Sequence, residues 1–304
     1  LFKSVSLSVT HVTLAALSAI LEYRYLSVNQ VATITGLRPK SASEMLLRLE
    51  RHGLLGHFGN VGIRGYGKTP KVYFLKKAGH TVLAEEREAV GQNTVPFRAV
   101  NISTRWSPLM FHRLATLDVM SYIERDCRSL QEYELIGTLV EYRREKVGTR
   151  WRKETTDYVS NKKRPEDRIV PDAGFALKHH QTGKRALFLI EVDLATTRLT
   201  TDQPDPYIAT YTDKLAQYDR YLASGRIKNR HPRLGTFSGF HLLTITNADA
   251  RVANMRRAAS TLSPDFHKYF RFSTLERVRQ SVLHADWLSR DHADISTYPL
   301  VKGS

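Results

Sequence analysis

Ile169-Val170-Pro171-Asp172-Ala173-Gly174-Phe175-Ala176-Leu177 and, after a turn marked by Gly183, Ala186-Leu187-Phe188-Leu189-Ile190-Glu191-Val192-Asp193 read as two strands. Both are short apolar runs bounded by turn signals, the pattern of strands buried in a sheet. Each also carries carboxylates where apolar side chains would be expected. Burying a carboxylate is costly unless a charge or a metal compensates it. Neighbouring antiparallel strands would bring Asp172 and Glu191 to one edge of the sheet. Two convergent carboxylates with the Val192 carbonyl between them suit Mg²⁺ or Mn²⁺, which prefer oxygen ligands and keep waters for phosphate chemistry.

Upstream, Leu135 to Tyr142 reads as a strand that delivers Glu141, and Leu109 to Arg125 as an amphipathic helix carrying His112. Between Glu141 and Asp172 lies a basic excursion, with ten Lys or Arg residues against five acids over 143–168. Arg150, Arg152, Lys153, Lys162, Lys163 and Arg164 fall in it, interleaved with Trp151 and Tyr158. Cations alternating with aromatic rings suit phosphates and unpaired bases; a flexible charged loop would have the same composition. Downstream, a helix over Tyr211 to Leu222 presents Lys214, Gln217, Tyr218 and Tyr221. Gln217 and Tyr221 have the i, i+4 spacing that shares a face, and a solvated helix face is the alternative. A strand at Gly239 to Thr246, a helix from Ala248 to Leu262 capped by Asn247, and a short strand at Lys268 to Ser273 complete an alternating α/β pattern. Arg256-Arg257 on that helix would reach phosphate or remain solvated.

The first ninety residues differ in character. Apolar residues recur at helical spacing over about Thr10 to Tyr25. Ser27 with Gln30 three residues later is a capping-box signal, opening a helix over Val28 to Thr35 that ends at Gly36. Leu37 to Lys40 reads as a turn, and Ser41 or Ser43 as the cap of a third helix with Met45, Leu46, Leu49 and Leu54 on one stripe, stopped by Gly53. A glycine-rich basic stretch, a returning strand at Val72 to Leu75 and a helix over Lys77 to Arg87 follow. This order resembles the winged helix-turn-helix domains of bacterial DNA-binding proteins. The resemblance implies a recognition helix showing Lys40, Ser41, Ser43, Arg48 and Arg51 to the major groove, and a wing bringing Arg64, Lys68 and Lys71 to the phosphate backbone. The chain thus divides into a winged helix over 1–90, a linker over 91–104 and an α/β domain over 105–304.

Pro-Asp followed nineteen residues later by Glu-x-Asp resembles the PD-(D/E)xK nucleases, whose restriction-endonuclease-like domain has a central mixed sheet flanked by helices. One departure stands out, because the third position holds Asp193 rather than lysine. The helix after the strand resembles the Gln-x-x-x-Tyr helix of RecB-like nucleases, which makes Lys214 the candidate replacement. With Thr196-Thr197 after Glu-Val-Asp, and Lys-Leu-x-x-Tyr opening the next helix, residues 10–245 resemble the replication-relaxation family of mobile plasmids, related to MobC-type mobilisation relaxases. That resemblance implies Asp172 and Glu191, with Val192, as metal ligands, Glu141 and Asp193 as supporting acids, and Lys214 as the transition-state cation. His112, Gln217 and Tyr221 are expected in support.

Composition narrows the partners. The 304 residues carry 46 Lys and Arg against 30 Asp and Glu, a formal charge of +16, with 41% hydrophobic residues, enough to build a core. The first ninety residues contribute +6 and residues 143–168 another +5. Such a surplus speaks of polyanions. A single cysteine, Cys127, excludes a disulfide framework and a cysteine zinc site. The apolar run Val12 to Leu21 is too short to cross a bilayer. No G-x-x-x-x-G-K-[ST] phosphate loop is present, nor a His-hydrophobe-His site. The expectation is a bacterial cytoplasmic protein, a metal-dependent relaxase or nicking endonuclease at a plasmid origin. Its expected partners are double-stranded DNA, single-stranded DNA at the nick, and transfer or replication proteins, with no membrane. The alternative is a non-catalytic replication or transcription regulator with a degenerate nuclease fold.

Overall fold

The computed structural model describes residues 10–59, 62–63, 67–94, 96–100, 108–162, 164–194, 198–200 and 210–301. The chain forms two compact units, Leu1–Ser121 and Tyr122–Ser304. Arg64, Lys163, Thr196 and Thr197 lie outside the described residues.

The first unit opens with α1 (His11–Tyr23), whose N-cap Thr10 accepts a hydrogen bond from the Thr13 amide at 3.3 Å. A short strand, β1 (Tyr25–Ser27), leads into α2 (Val28–Thr35). Here the Ser27 and Gln30 side chains form the reciprocal capping box expected from their spacing, and Gly36 closes the helix in the left-handed conformation. Next come α3 (Pro39–Arg51), β2 (Leu55–Gly59), the two-residue strands β3 (Gly62–Ile63) and β4 (Gly67–Lys68), β5 (Lys71–Leu75) and α4 (Lys77–Ala89). The strands β1, β5 and β2 form an antiparallel sheet in that order, and β3 pairs with β4. Leu17, Ile20 and Tyr23 of α1, Val31 of α2, Leu46 and Leu49 of α3, and Leu55 and Val72 of the sheet are fully buried. That burial, at about 25 cal/mol per Å² of apolar area, joins helices too short to persist alone.

Two local readings need correction. Tyr25 begins a strand rather than ending α1, because its backbone pairs with Phe74. The third helix starts at Pro39, with Arg38 as its N-cap and no side-chain cap. Proline at the first helical position needs no donor there, so Ser41 and Ser43 fall inside the helix. Gly79 of α4 packs so closely on the turn after α3 that an added Cβ would run into the Leu54 carbonyl oxygen and come within 2.9 Å of Leu75 Cδ1. Gly79→Ala is therefore expected to destabilise this unit by about 1–3 kcal/mol, despite alanine's better helix propensity. Urea unfolding followed by circular dichroism measures it.

The helix α5 (Pro108–Ser129) crosses the division between the units, which falls after Ser121. The second unit continues with β6 (Tyr133–Val140), the hairpin strands β7 (Arg144–Val147) and β8 (Arg150–Lys153), β9 (Asp157–Tyr158), β10 (Arg168–Ile169), β11 (Ala173–His179) and β12 (Arg185–Asp193). Then come α6 (Tyr211–Ala223), β13 (His241–Thr246), α7 (Asp249–Ala259), β14 (Phe270–Thr274), α8 (Leu275–Gln280) and β15 (Leu288–Ser289). A six-stranded sheet runs β15-β14-β13-β12-β11-β6. Its β6, β11 and β12 are antiparallel, β12, β13 and β14 are parallel, and β15 turns back. The fold is thus mixed α/β, a central mixed sheet flanked by helices.

β12 is buried on both faces, which explains its continuous apolar run. Leu187 and Leu189 share a core cluster with Leu215 and Tyr218 of α6 and with Val252 and Met255 of α7. Side chains alternate along a strand, so Glu191 and Asp193 end the same face that α6 and α7 cover. Elsewhere the boundaries shift. β6 stops at Val140, leaving Glu141 just beyond the strand, and Pro171-Asp172 interrupts β10 and β11 because proline cannot donate to the ladder. Ala248, not Asn247, is the N-cap of α7, and it makes no side-chain cap bond. Among the described residues no helix is long and apolar enough to cross a membrane.

Candidate active site

The carboxyl end of β12 gathers the groups with the most chemical potential. Asp172 sits opposite Glu191, one residue beyond the Ala173–Ile190 pair, and its amide donates to the Ile190 carbonyl at 3.0 Å. Its side chain turns back on the same strand, where Oδ2 accepts from the Val192 amide at 2.9 Å. The interrupted strand thereby orients the carboxylate through the backbone of β12.

Glu191 is only 4% exposed, and both its oxygens are engaged by α6. Lys214 Nζ forms an ion pair with Oε2, and the Tyr218 hydroxyl donates to Oε1. Lys214 and Tyr218 are four residues apart and so stand one above the other on the helix. Their turn is pinned by a second capping box, in which Thr210 exchanges hydrogen bonds with Asp213. The Lys214 side chain keeps 40% of its surface exposed while its ammonium faces Glu191.

Behind this pair, Asp193 is bound by Arg251 of α7 at 2.6 Å, while its Oδ1 is buried without a hydrogen-bond partner among the described residues. Tyr211 at the start of α6 shares a hydrogen bond with Thr244 Oγ1 at 3.1 Å. Thr244 is the residue of β13 in register with Glu191.

Burial drives the Glu191 carboxyl upward and the charge of Asp172 adds to it; Lys214 and Tyr218 oppose them, leaving a pKa of about 7. Burial alone would lower the Lys214 ammonium, but the charges of Glu191, Asp172 and Asp193 outweigh it and raise it. A raised carboxyl binds a proton in the folded state that the unfolded chain has already released. Its contribution therefore favours the fold below about pH 4.5 and is lost as pH rises through 7, roughly 3 kcal/mol at full ionisation.

Asp172, Glu191 and Lys214 thus come together. Glu141 follows β6, whose last residue, Val140, pairs with Ala173, and its carboxylate is held by Lys153 at 2.5 Å. Asp193, expected as a supporting acid, is instead locked to Arg251. Gln217 and Tyr221 occupy another face of α6. Gln217 donates to the Glu166 carbonyl at 2.9 Å, and the Tyr221 hydroxyl donates to Asp157. His112 belongs to the first unit, where its carbonyl accepts from Thr116 Oγ1 at 3.1 Å. Tyr211 and Arg251 were given no role from sequence, and Tyr218 was read on the helix face and in the Lys-Leu-x-x-Tyr motif without a role of its own. Tyr218 carried a usable signal, its i, i+4 spacing from Lys214.

The donor set of Asp172 and Glu191 is all-oxygen, which fits Mg²⁺ or Mn²⁺ supplied with waters and phosphate oxygens for the remaining positions. Among the described residues no group of three or more His, Cys, Asp or Glu is assembled for a metal.

The basic residues divide sharply by environment. On α3, Lys40, Ser41, Arg48 and Arg51 are exposed and Ser43 is half-buried; Lys68 of β4 is exposed. Lys71 is ion-paired to Glu50 at 2.9 Å. Arg152 is held by Glu145 at 2.6 Å and Arg164 stands 3.7 Å from Glu166, while Lys162 is exposed. Arg256 is buried, donating to the carbonyls of Ser289, Asp291 and Asp294, which removes it from any phosphate role.

Comparison with known proteins gives one result. The replication-relaxation family model matches residues 17–236, which takes in all of α2 to α6 and therefore Asp172, Glu191 and Lys214. No curated protein and no solved structure matches the chain. With nearly three quarters of its length matched, the chain belongs to the replication-relaxation family.

Proposed function

We propose that this protein is a DNA-binding, metal-dependent nicking endonuclease of the relaxase type, acting at a plasmid origin in replication or mobilisation. The observation that carries the reading is the closure of Lys214 of α6 on Glu191, opposite Asp172. It supplies the cation that the PD-(D/E)xK resemblance lacks at Asp193. Family membership supports the plasmid setting. The antiparallel β11–β12 pair within a mixed sheet supports a nuclease-like domain.

In this reading Asp172 and Glu191 hold Mg²⁺ or Mn²⁺. When bound, the metal would polarise the scissile phosphate and acidify a coordinated water. Asp172 is oriented for that task by the Val192 amide, and Glu191 by Tyr218. Lys214 moves from Glu191 to the phosphate oxygens and stabilises the charge that grows on them. The first unit is a winged helix-turn-helix, supported by its order of three helices, β2, a β3–β4 pair and β5. It docks α3 on duplex DNA through Lys40, Arg48 and Arg51.

The test is conversion of supercoiled origin plasmid to nicked circles with Mg²⁺, with Mn²⁺ and with EDTA. Nicking is expected with metal and not with EDTA, and Glu191→Gln is expected to lower it by roughly 10²–10³-fold while binding the same DNA. A Glu191→Gln protein as fast as its parent overturns the reading. The second reading, a non-catalytic regulator, is favoured by one observation: Asp193 stands at the lysine position and is tied to Arg251. Binding of origin DNA with no metal-dependent nicking would establish it.

A further inference from the structure

The β7–β8 hairpin is built with two unlike faces. Its two-residue turn, Gly148-Thr149, is entered through a positive φ of 61° at Gly148, a conformation that glycine takes without strain. Directly paired residues share a face of an antiparallel hairpin. One face therefore carries Glu145 and Arg152, and the opposite face carries Arg144 with Lys153 and Lys146 with Trp151.

The first face is anchored to the body of the unit. Glu145 accepts from Arg152 at 2.6 Å and from the nearly buried Arg230 at 2.6 and 3.0 Å. Arg230 also donates to the carbonyls of Glu154 and Thr156 at 2.7 and 2.8 Å. Such a network holds the hairpin in one orientation, since breaking a buried charge pair leaves an uncompensated ion.

The second face is turned outward. Arg144 and Lys146 are exposed, and Trp151 leaves 58% of its surface to solvent. An exposed indole opposite Lys146, with Arg144 on the diagonal, suits a single strand, the ring stacking on an unstacked base and the cations meeting its phosphates. Duplex DNA offers that face no free base to stack on. The root of the hairpin supplies a second, independent observation. Lys153 is joined to Glu141, the residue that follows β6, whose last pair, Val140–Ala173, adjoins Asp172 along the chain.

We infer that the Arg144–Lys146–Trp151 face of the β7–β8 hairpin is a single-stranded DNA clamp beside the carboxylate site, with Trp151 stacking on an unpaired base. Resting on the nicking reading, the clamp holds the strand next to the cut phosphate, which makes melted origin DNA the substrate form.

The test uses the full chain in EDTA, so that binding is measured apart from cleavage. A fluorescein-labelled 20-nucleotide single strand and the same sequence as a blunt duplex are titrated by anisotropy. Trp151→Ala is expected to weaken single-strand binding by roughly 5- to 100-fold, leave duplex binding within about twofold, and be largely rescued in Trp151→Phe. The double variant Arg144→Ala/Lys146→Ala is expected to reduce the salt slope of single-strand binding by roughly 1.4, two phosphate contacts' worth. Unchanged single-strand affinity in Trp151→Ala overturns the inference, as does an equal loss for both DNA forms. The two readings fail separately. If the parent nicks plasmid but Trp151→Ala binds single strands normally, only the clamp falls. If no metal-dependent nicking occurs while Trp151→Ala loses single strands alone, the clamp stands and the nuclease reading falls.

Discussion

Lys214→Met is expected to lower metal-dependent nicking by roughly 10²–10³-fold, the usual cost of removing one preorganised donor from developing transition-state charge, with DNA binding in EDTA within about twofold. The Lys214 ammonium meets the Glu191 carboxylate, feels the charges of Asp172 and Asp193, and keeps 40% of its side chain exposed. A phosphate approaching the two carboxylates therefore meets a cation already desolvated on one side. Methionine keeps the length and apolar stem of lysine and removes only the charge. Lys214→Arg is expected to recover the rate only in part, because a planar guanidinium cannot replace a compact ammonium at a site shaped for one. A further consequence concerns pH. Lys214 is the strongest influence holding the Glu191 carboxyl down against its burial and the charge of Asp172. Without it that carboxyl moves further above about 7, so residual nicking should need a more alkaline solution than the parent's. Plasmid nicking rates at fixed Mg²⁺ from pH 6 to 9 measure both effects. A Lys214→Met rate within threefold of the parent at every pH would remove Lys214 from the site.

The features legible in sequence are those that close within a few residues. Ser27 with Gln30 announced α2 because a capping box is a local exchange of hydrogen bonds. The apolar run before Glu191 announced β12 because a strand buried on both faces must be apolar throughout. Tyr25–Ser27 gave no such signal, since three residues have no periodicity and become a strand only by pairing with Val72–Phe74. The same limit explains the α6 assignment. Lys214 with Tyr218 and Gln217 with Tyr221 are both i, i+4 pairs, offset by three residues, and only the packing of α6 on β12 decides which pair meets Glu191. Asp193 and Arg251 lie 58 residues apart, so their pairing has no local signature. Arg256 and Arg257 look alike in sequence, yet the helix rotates one into the core and the other outward.

Arg290→Met is expected to destabilise the second unit by about 3–5 kcal/mol, the cost of leaving one member of a buried ion pair without its partner. Arg290 has no exposed surface and donates through one nitrogen to both Asp219 oxygens, at 2.6 and 2.8 Å. It also donates to the Ser263 carbonyl and lies 4.4 Å over the Phe270 ring. Yet burial raises the Asp219 carboxyl more than Arg290 lowers it. A carboxyl raised in spite of its partner means that desolvation exceeds the attraction, so the pair orients the chain more than it stabilises it. Its removal as a unit should therefore cost much less than its rupture, and Arg290→Met/Asp219→Leu is expected to recover most of the stability lost in Arg290→Met. Urea midpoints at pH 7.5 for the parent, both single variants and the double variant give the coupling directly. What the pair orients is α6, because Asp219 follows Tyr218, the residue that holds Glu191, and ties that helix to the segment after β15. The double variant should then be stable but slower at nicking, since α6 is no longer fixed from behind. If it regains both stability and the parental rate, the orientation of α6 rests on the apolar cluster of Leu215, Tyr218 and Tyr221 alone.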